Sequence, residues 1–111
     1  MDAQYEVRLT HQAMMQLQAI RDYISDELCA PDAAINLLRL LKKEMDSLSR
    51  MPQRIALTGE EPWRSYGVRR FPLKSYLVYF WIDEENARVQ ITAVVYSNRE
   101  QRQALAQMNM N

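Results

Sequence analysis

The segment from Glu61 to Asp83 carries Arg64, Arg69, Arg70 and Lys74 with no acidic residue between its ends. Aromatic residues are interleaved with these cations: Trp63, Tyr66, Phe71, Tyr76, Tyr79, Phe80 and Trp81. Guanidinium groups pair with phosphate in bidentate fashion, and flat rings stack on unpaired bases at about 1–3 kcal/mol each, so the combination suits a single-stranded nucleic acid. Arg64, Arg70, Lys74 and Tyr76 are the candidate contacts. The competing explanation is a sheet core of rings beside a solvated basic face. In an extended strand Arg69 shares a side with Gly67 and Phe71, while Arg70 shares the other with Val68. Two adjacent arginines then face opposite ways unless the strand bulges or ends. Arg99 follows the last apolar run and, if the strands are antiparallel, reaches the end of the sheet that holds Arg69.

Groups able to move protons are few. The single histidine, His11, sits near a helix start and far in sequence from the basic stretch, the setting of a surface or capping residue. Glu60 and Glu61 precede the basic segment and could supply a carboxylate. Tyr66, Tyr76 and Tyr96 could supply a phenol, whose ordinary pKa near 10 would have to fall before it served as a base. One cysteine, Cys29, and one histidine cannot build a Cys/His zinc site, so neither metal nor cofactor is expected. Asp83, Glu84 and Glu85 read most simply as the solubilising tip of a hairpin.

The 111 residues make one domain, spanning 1–111, too short for a doubly wound or barrel enzyme. Fourteen basic and fourteen acidic residues cancel, so no global field draws the molecule to a polyanion and any such site is a local patch. Two glycines leave no material for a phosphate-binding loop. No apolar run approaches the roughly 18 residues of a membrane span, and the charged, alternating start is unlike a signal peptide. A cytoplasmic protein without membrane contact is expected.

Period-2 alternation of Tyr5, Val7 and Leu9 predicts a first strand. Thr10 can cap a helix with Ala13, Leu17, Ile20, Ile24 and Leu28 on one face. Pro31 and Asp32 suit the start of a second helix carrying Ala34, Leu37, Leu38, Leu41, Met45 and Leu48, stopped by Pro52. After a loop over 53–61, strands are predicted at 66–71, 76–82 and 88–96. In the last, Val89, Ile91, Ala93 and Val95 alternate with Arg88, Gln90, Thr92 and Val94, giving one core face and one partly wet face. The tail over 99–107 reads as a short polar helix or frayed end, and 108–111 as disordered. The order is β-α-α-β-β-β, an α+β fold with a helical hairpin on one face of a small antiparallel sheet. Met14, Met15 and Leu40 are apolar positions on that hairpin available to a partner.

The order and wording of these pieces resemble the RelE/ParE superfamily of type II toxin–antitoxin modules, also known as plasmid stabilisation proteins. The matching words are Tyr5-Glu-Val-Arg-Leu-Thr10, Ile20-Arg-Asp-Tyr-Ile24, Pro31-Asp-Ala-Ala34, Gly67-Val-Arg-Arg-Phe71, Tyr76-Leu-Val-Tyr-Phe-Trp-Ile-Asp-Glu84 and Val95-Tyr-Ser-Asn-Arg-Glu100. The resemblance implies the same fold and a cognate antitoxin that wraps the toxin, as a hetero-oligomer with or without a toxin homodimer. In the RelE branch it implies a ribosome-dependent endoribonuclease, an mRNA interferase in which a ribose 2′-hydroxyl attacks the adjacent phosphate. Arg69 and Arg99 fall at that branch's arginine positions. Tyr96 and, loosely, Glu61 are the remaining candidates for its chemistry. Tyr76 stands where the branch has an arginine, Leu105 where it has a tyrosine, and Ser97 where one variant has a histidine. The ParE branch instead poisons DNA gyrase and needs no catalytic residue. Arg69 and Arg99 tilt the expectation towards mRNA cleavage with the ribosome as partner, and a decayed toxin acting only as its antitoxin's corepressor is a third reading.

Overall fold

The computed structural model describes residues 4–97 and 108–110. Strand β1 (Glu6–Leu9) leads into helix α1 (His11–Asp22). Thr10 caps the helix as its sequence implies, accepting a hydrogen bond from the Ala13 amide at 3.2 Å. After Asp22 the coil widens into a π-helical turn, Tyr23–Glu27. Helix α2 (Pro31–Asp46) has Pro31 in its first turn and buries Ala34, Leu41 and Met45. It gives way to a 3₁₀ turn, Ser47–Ser49, before Pro52 is reached. The loop predicted over 53–61 begins with a second such turn, Pro52–Arg54.

Strands β2 (Arg69–Leu73), β3 (Tyr76–Asp83) and β4 (Arg88–Tyr96) form the predicted antiparallel meander. Strand β2 starts three residues later than the alternation suggested, because Gly67, at φ +84°, belongs to the preceding turn. Among the described residues the sheet order is β1-β4-β3-β2. Strand β1 runs parallel to β4, with Val7 opposite Val89. The sheet is therefore mixed: the helical hairpin carries the chain to the far edge, and the meander returns it alongside β1.

The pairing of β3 with β4 slips between Tyr79 and Phe80, so that Tyr79 faces Ala93 and Phe80 faces Ile91, with Thr92 left as a bulge. The slip changes which side chains look inwards. Val89, Ile91 and Val94 join Leu41, Met45, Leu48, Val78 and Phe80 under the helices. Ala93 and Val95, expected beside Val89 and Ile91, lie on the other face with Val68, Leu77 and Tyr79. That second face is not wet.

The end of the chain covers it. Met108 is 7% exposed, the Trp81 indole Nε1 donates to the Met110 carbonyl at 2.7 Å, and the Asn109 amide donates to Gln12 Oε1 at 3.0 Å. Disorder from residue 108 onwards is thus corrected for 108–110. A sheet face bearing Tyr79 and Trp81 is too apolar to leave in water, and residues 108–110 lie against it. Asn111 and the short helix expected over 99–107 lie outside the described residues. Deleting 108–111 is expected to destabilise the domain by about 1.5–3 kcal/mol, the value of one buried methionine, and to shift tryptophan emission to the red. Thermal melting and fluorescence read the two effects.

Candidate functional site

Period-2 geometry sends the two arginines of β2 to opposite faces, and each meets an acceptor within the chain. Arg69, on the helix side, donates from Nη1 to the carbonyls of Gln53, at 3.3 Å, and Ile55. Arg70, on the other side, pairs with Glu60 at 3.0 Å. Glu60 also accepts from the buried Tyr79 hydroxyl at 3.0 Å and from the Thr58 hydroxyl. Arg64 donates to the Thr58 carbonyl at 3.2 Å, and Glu61 accepts from Ser65 within its own turn. Most of the basic segment therefore holds residues 53–67 against the edge of the sheet.

The loop that Arg69 grips is fixed from its far side. Gln53 Nε2 donates to the Tyr5 hydroxyl at 2.8 Å and to Glu84 at 3.0 Å, and Tyr5 donates to Glu84 at 2.8 Å. Glu84, expected to be a solvated tip residue, is instead a structural acceptor linking β1, the loop and the β3–β4 turn. Nothing in the local pattern pairs residues 79 positions apart. The Glu84 hydrogen bond holds the Tyr5 phenol above its ordinary range.

Lys74 and Ser75 turn β2 into β3 at the opposite end of the strand from Arg69, about 13 Å away by strand rise. There Tyr76 lies across from Tyr96 and their rings meet edge to face, with centroids 5.6 Å apart. Burial pushes the Tyr76 phenol up, and the neighbouring Tyr96 and Tyr23 add to the effect. A raised phenol is the reverse of what a general base needs. Because β4 ends here, the register takes the chain out of the sheet at the Lys74 end, away from Arg69. Arg99 and Leu105 themselves lie outside the described residues. His11 is exposed at the start of α1. Among the described residues no cluster of three or more His, Cys, Asp or Glu could hold a metal ion.

An apolar concavity lies away from the basic strand. A groove of about 1260 Å³ runs between the π-helical turn, the start of α2 and the ends of β3 and β4. Its walls include Tyr23, Leu28, Leu40, Tyr76, Val94 and Tyr96, and among the described residues lining it Lys74 is the one that is charged. Three of these side chains are open to solvent: Tyr23 at 56%, Leu28 at 55% and Tyr96 at 48%. Leu40, singled out in the sequence, is part of it; Met14 lines a smaller recess of about 410 Å³ beside β1, and Met15 lines neither. Leu28 belongs to the apolar stripe expected of the first helix, and Tyr23 has no place in that expectation; in the π-helical turn and at its end both are exposed.

The model of the family described as the ParE toxin of type II toxin-antitoxin system, parDE, matches residues 7–101. Among solved structures, the chain is similar to one of the chromosomal ParDE system from P. aeruginosa, with 20% identity and a TM-score of 0.71 over 86% of this chain and 99% of that one. It is also similar to one of the RelBE2 toxin-antitoxin complex from Mycobacterium tuberculosis, with 21% identity and a TM-score of 0.60 over 85% and 92% of the respective chains. No curated protein sequence matches it. Among the described residues, no helix is long and apolar enough to cross a membrane.

The raised phenols carry a sign that can be checked. A folded state that holds phenolic protons more tightly than the unfolded chain is stable up to the ordinary value near 10 and loses stability as pH rises above it. Spectrophotometric titration should show Tyr5 and Tyr76 ionising above the ordinary phenol value. Tyr76→Phe should flatten the alkaline fall in melting temperature.

Proposed function

Because the chain belongs to the ParE toxin family of type II toxin–antitoxin systems, we propose that it stops growth by binding its target rather than by cutting RNA. The observation that carries this reading is the divergence of Arg69 and Arg70, each already engaged by acceptors of its own chain. To meet a phosphate, Arg69 would have to release two carbonyls. Each hydrogen bond from a charged donor contributes about 1.5–3 kcal/mol, so turning outwards costs as much as a good phosphate contact returns. The zero net charge agrees: nothing in it steers the free protein to ribosomal RNA. DNA gyrase is the target that the resemblance to the ParE branch implies.

The partner that silences such a toxin must cover exposed apolar surface, and the groove between Tyr23, Leu28 and Tyr96 offers it in one place. We assign it to the cognate antitoxin. Ribosome-dependent mRNA cleavage is the alternative. In its favour, Arg70 and Glu60 form a guanidinium–carboxylate pair that is about one-third open to solvent, at 37% and 28%.

Inducing the chain without its antitoxin distinguishes the two. Growth arrest with intact transcripts and a loss of negative supercoiling in plasmid DNA is the expected result. New mRNA 5′ ends within codons, appearing only during translation, would overturn the reading, as would an absence of arrest. Arg69→Lys, which keeps one donor to the loop, is expected to melt lower than the wild type while retaining toxicity. Arg69→Ala should lose about 1.5–3 kcal/mol of stability, measured by denaturant unfolding, because the loop carbonyls lose their donor.

A further inference from the structure

Strand β1 forms one edge of the sheet, and among the described residues no strand lies outside it. The Glu6 and Thr10 amides donate to the Ala87 and Ile91 carbonyls on the β4 side, at 2.9 and 3.0 Å, whereas the Tyr5 amide donates outwards to the Ser49 carbonyl at 2.8 Å. Alternation turns the backbone groups of Val7 and Leu9 outwards as well, and neither amide meets an acceptor among the described residues. Ser49 and Arg50 fill the lane beside Tyr5, and α1 begins after Thr10, so the open stretch is short and fixed in position. On the helix side it borders the recess of about 410 Å³, which Val7, Leu9, Leu17 and Leu38 line together with the 46% exposed Met14. On the other side Glu6 and Arg8 stand along the same edge, paired with each other and half-exposed.

We propose that this edge is the target-binding surface, where an extended segment of the target protein adds as an antiparallel strand beside Val7 and Leu9. This rests on the reading that the chain stops growth by binding its target. Backbone groups along an open edge are satisfied best by another backbone. Charge then selects the sequence that fits: across from Arg8 the segment carries an anion, across from Glu6 a cation, and between them, across from Val7, an aliphatic residue that enters the recess. The other charges at the recess, Arg21 and Lys42, are already paired with Asp22 and Asp46, so the choice falls to β1. Past the cation the segment must turn away, because Ser49 occupies the lane. The β1 strand of a second copy reads Glu6-Val7-Arg8 and has the right charges, but paired about Val7 its Leu9 falls beside Tyr5, where Ser49 already lies. The recess and the groove assigned to the antitoxin share no lining residue, so the two surfaces are separate.

Supercoiling by purified DNA gyrase, with the full chain freed from its co-expressed antitoxin, provides the test. Val7→Ala trims a side chain at the recess, whereas Val7→Pro also removes the outward amide without touching the ladder to β4. The proline variant, checked by melting to be folded, is expected to need about ten times more protein for half-inhibition than the alanine variant, which corresponds to one lost hydrogen bond. Exchanging the charges, Glu6→Arg with Arg8→Glu, leaves the backbone and the pair within the strand in place and is expected to weaken inhibition by about tenfold too. All three variants are expected to bind the antitoxin as the wild type does. Equal inhibition by the proline and alanine variants, with full inhibition by the exchanged pair, would overturn strand addition and leave the binding reading standing. Weakened antitoxin binding with unchanged inhibition would give the edge to the antitoxin and overturn the proposal as well. A wild-type chain that leaves gyrase uninhibited would overturn the reading on which it rests.

Discussion

The bulge at Thr92 is the constraint from which most of this structure follows. Its neighbourhood is tied on every side: the Thr10 amide donates to the Ile91 carbonyl at 3.0 Å, the Thr10 hydroxyl to the Thr92 carbonyl at 3.4 Å, and the Thr92 hydroxyl to the Tyr79 carbonyl at 3.3 Å. Pairing of β1 therefore ends where α1 is capped, by the same residue. The extra residue shifts the phase of β4, so Val94 faces the helices while Ala93 and Val95 support a second apolar cluster. A regular β4 would have put Thr92 and Val94 on that second face in place of Ala93 and Val95, which join Val68, Leu77 and Tyr79 around Met108. Because β1 stops and β4 continues, an edge is left open, and the groove forms beside it.

The basic strand shows how a functional pattern can be absorbed by structure. The cations and rings between residues 61 and 83 have the composition of a nucleic-acid surface. In the fold, Phe80 and Tyr79 are fully buried on opposite faces, and three of the four cations bond to the loop that borders the sheet. That loop lacks periodic structure of its own, so its carbonyls need donors, and arginine offers several from one side chain. The bridge between Leu57 and Arg69 and the bond from the Thr58 amide to the Val68 carbonyl cover the outer edge of β2 as well. The two ends of the sheet thus differ: the β2 edge is closed by its own chain, and the far half of β4 has a strand on one side only among the described residues.

Charge placement follows the same division. Glu6 pairs with Arg8 and lies near Arg88, which lowers the Glu6 carboxyl below its usual range, and Lys42 pairs with Asp46 one helical turn on. These pairs sit on exposed strand and helix surfaces, where solvent screens them and they mainly keep the faces soluble. Among the described residues lining the groove the one ionic group is Lys74, held on a turn at φ +56°. A cation at the mouth of an apolar cleft biases the polarity and orientation of whatever enters it.

The amino-acid sequence by itself determined the elements and their order, because each rests on local spacing: the alternation in β1, the Thr10 cap, Pro31 at the head of α2, and the β-branched and aromatic runs of β3 and β4. It also determined that Arg69 and Arg70 diverge, since period 2 allows nothing else in a regular strand. Only the tertiary structure decided what depends on residues distant in the chain. The parallel pairing of β1 with β4 came from the route of the helical hairpin, and the order of 108–110 came from the exposed face of a sheet built tens of residues earlier. Glu84 meets Tyr5 and Gln53 only because three separate segments converge. The groove is likewise a product of assembly: Leu28 belongs to the helical stripe read from the sequence, and a π turn leaves it and Tyr23 exposed beside the far half of β4.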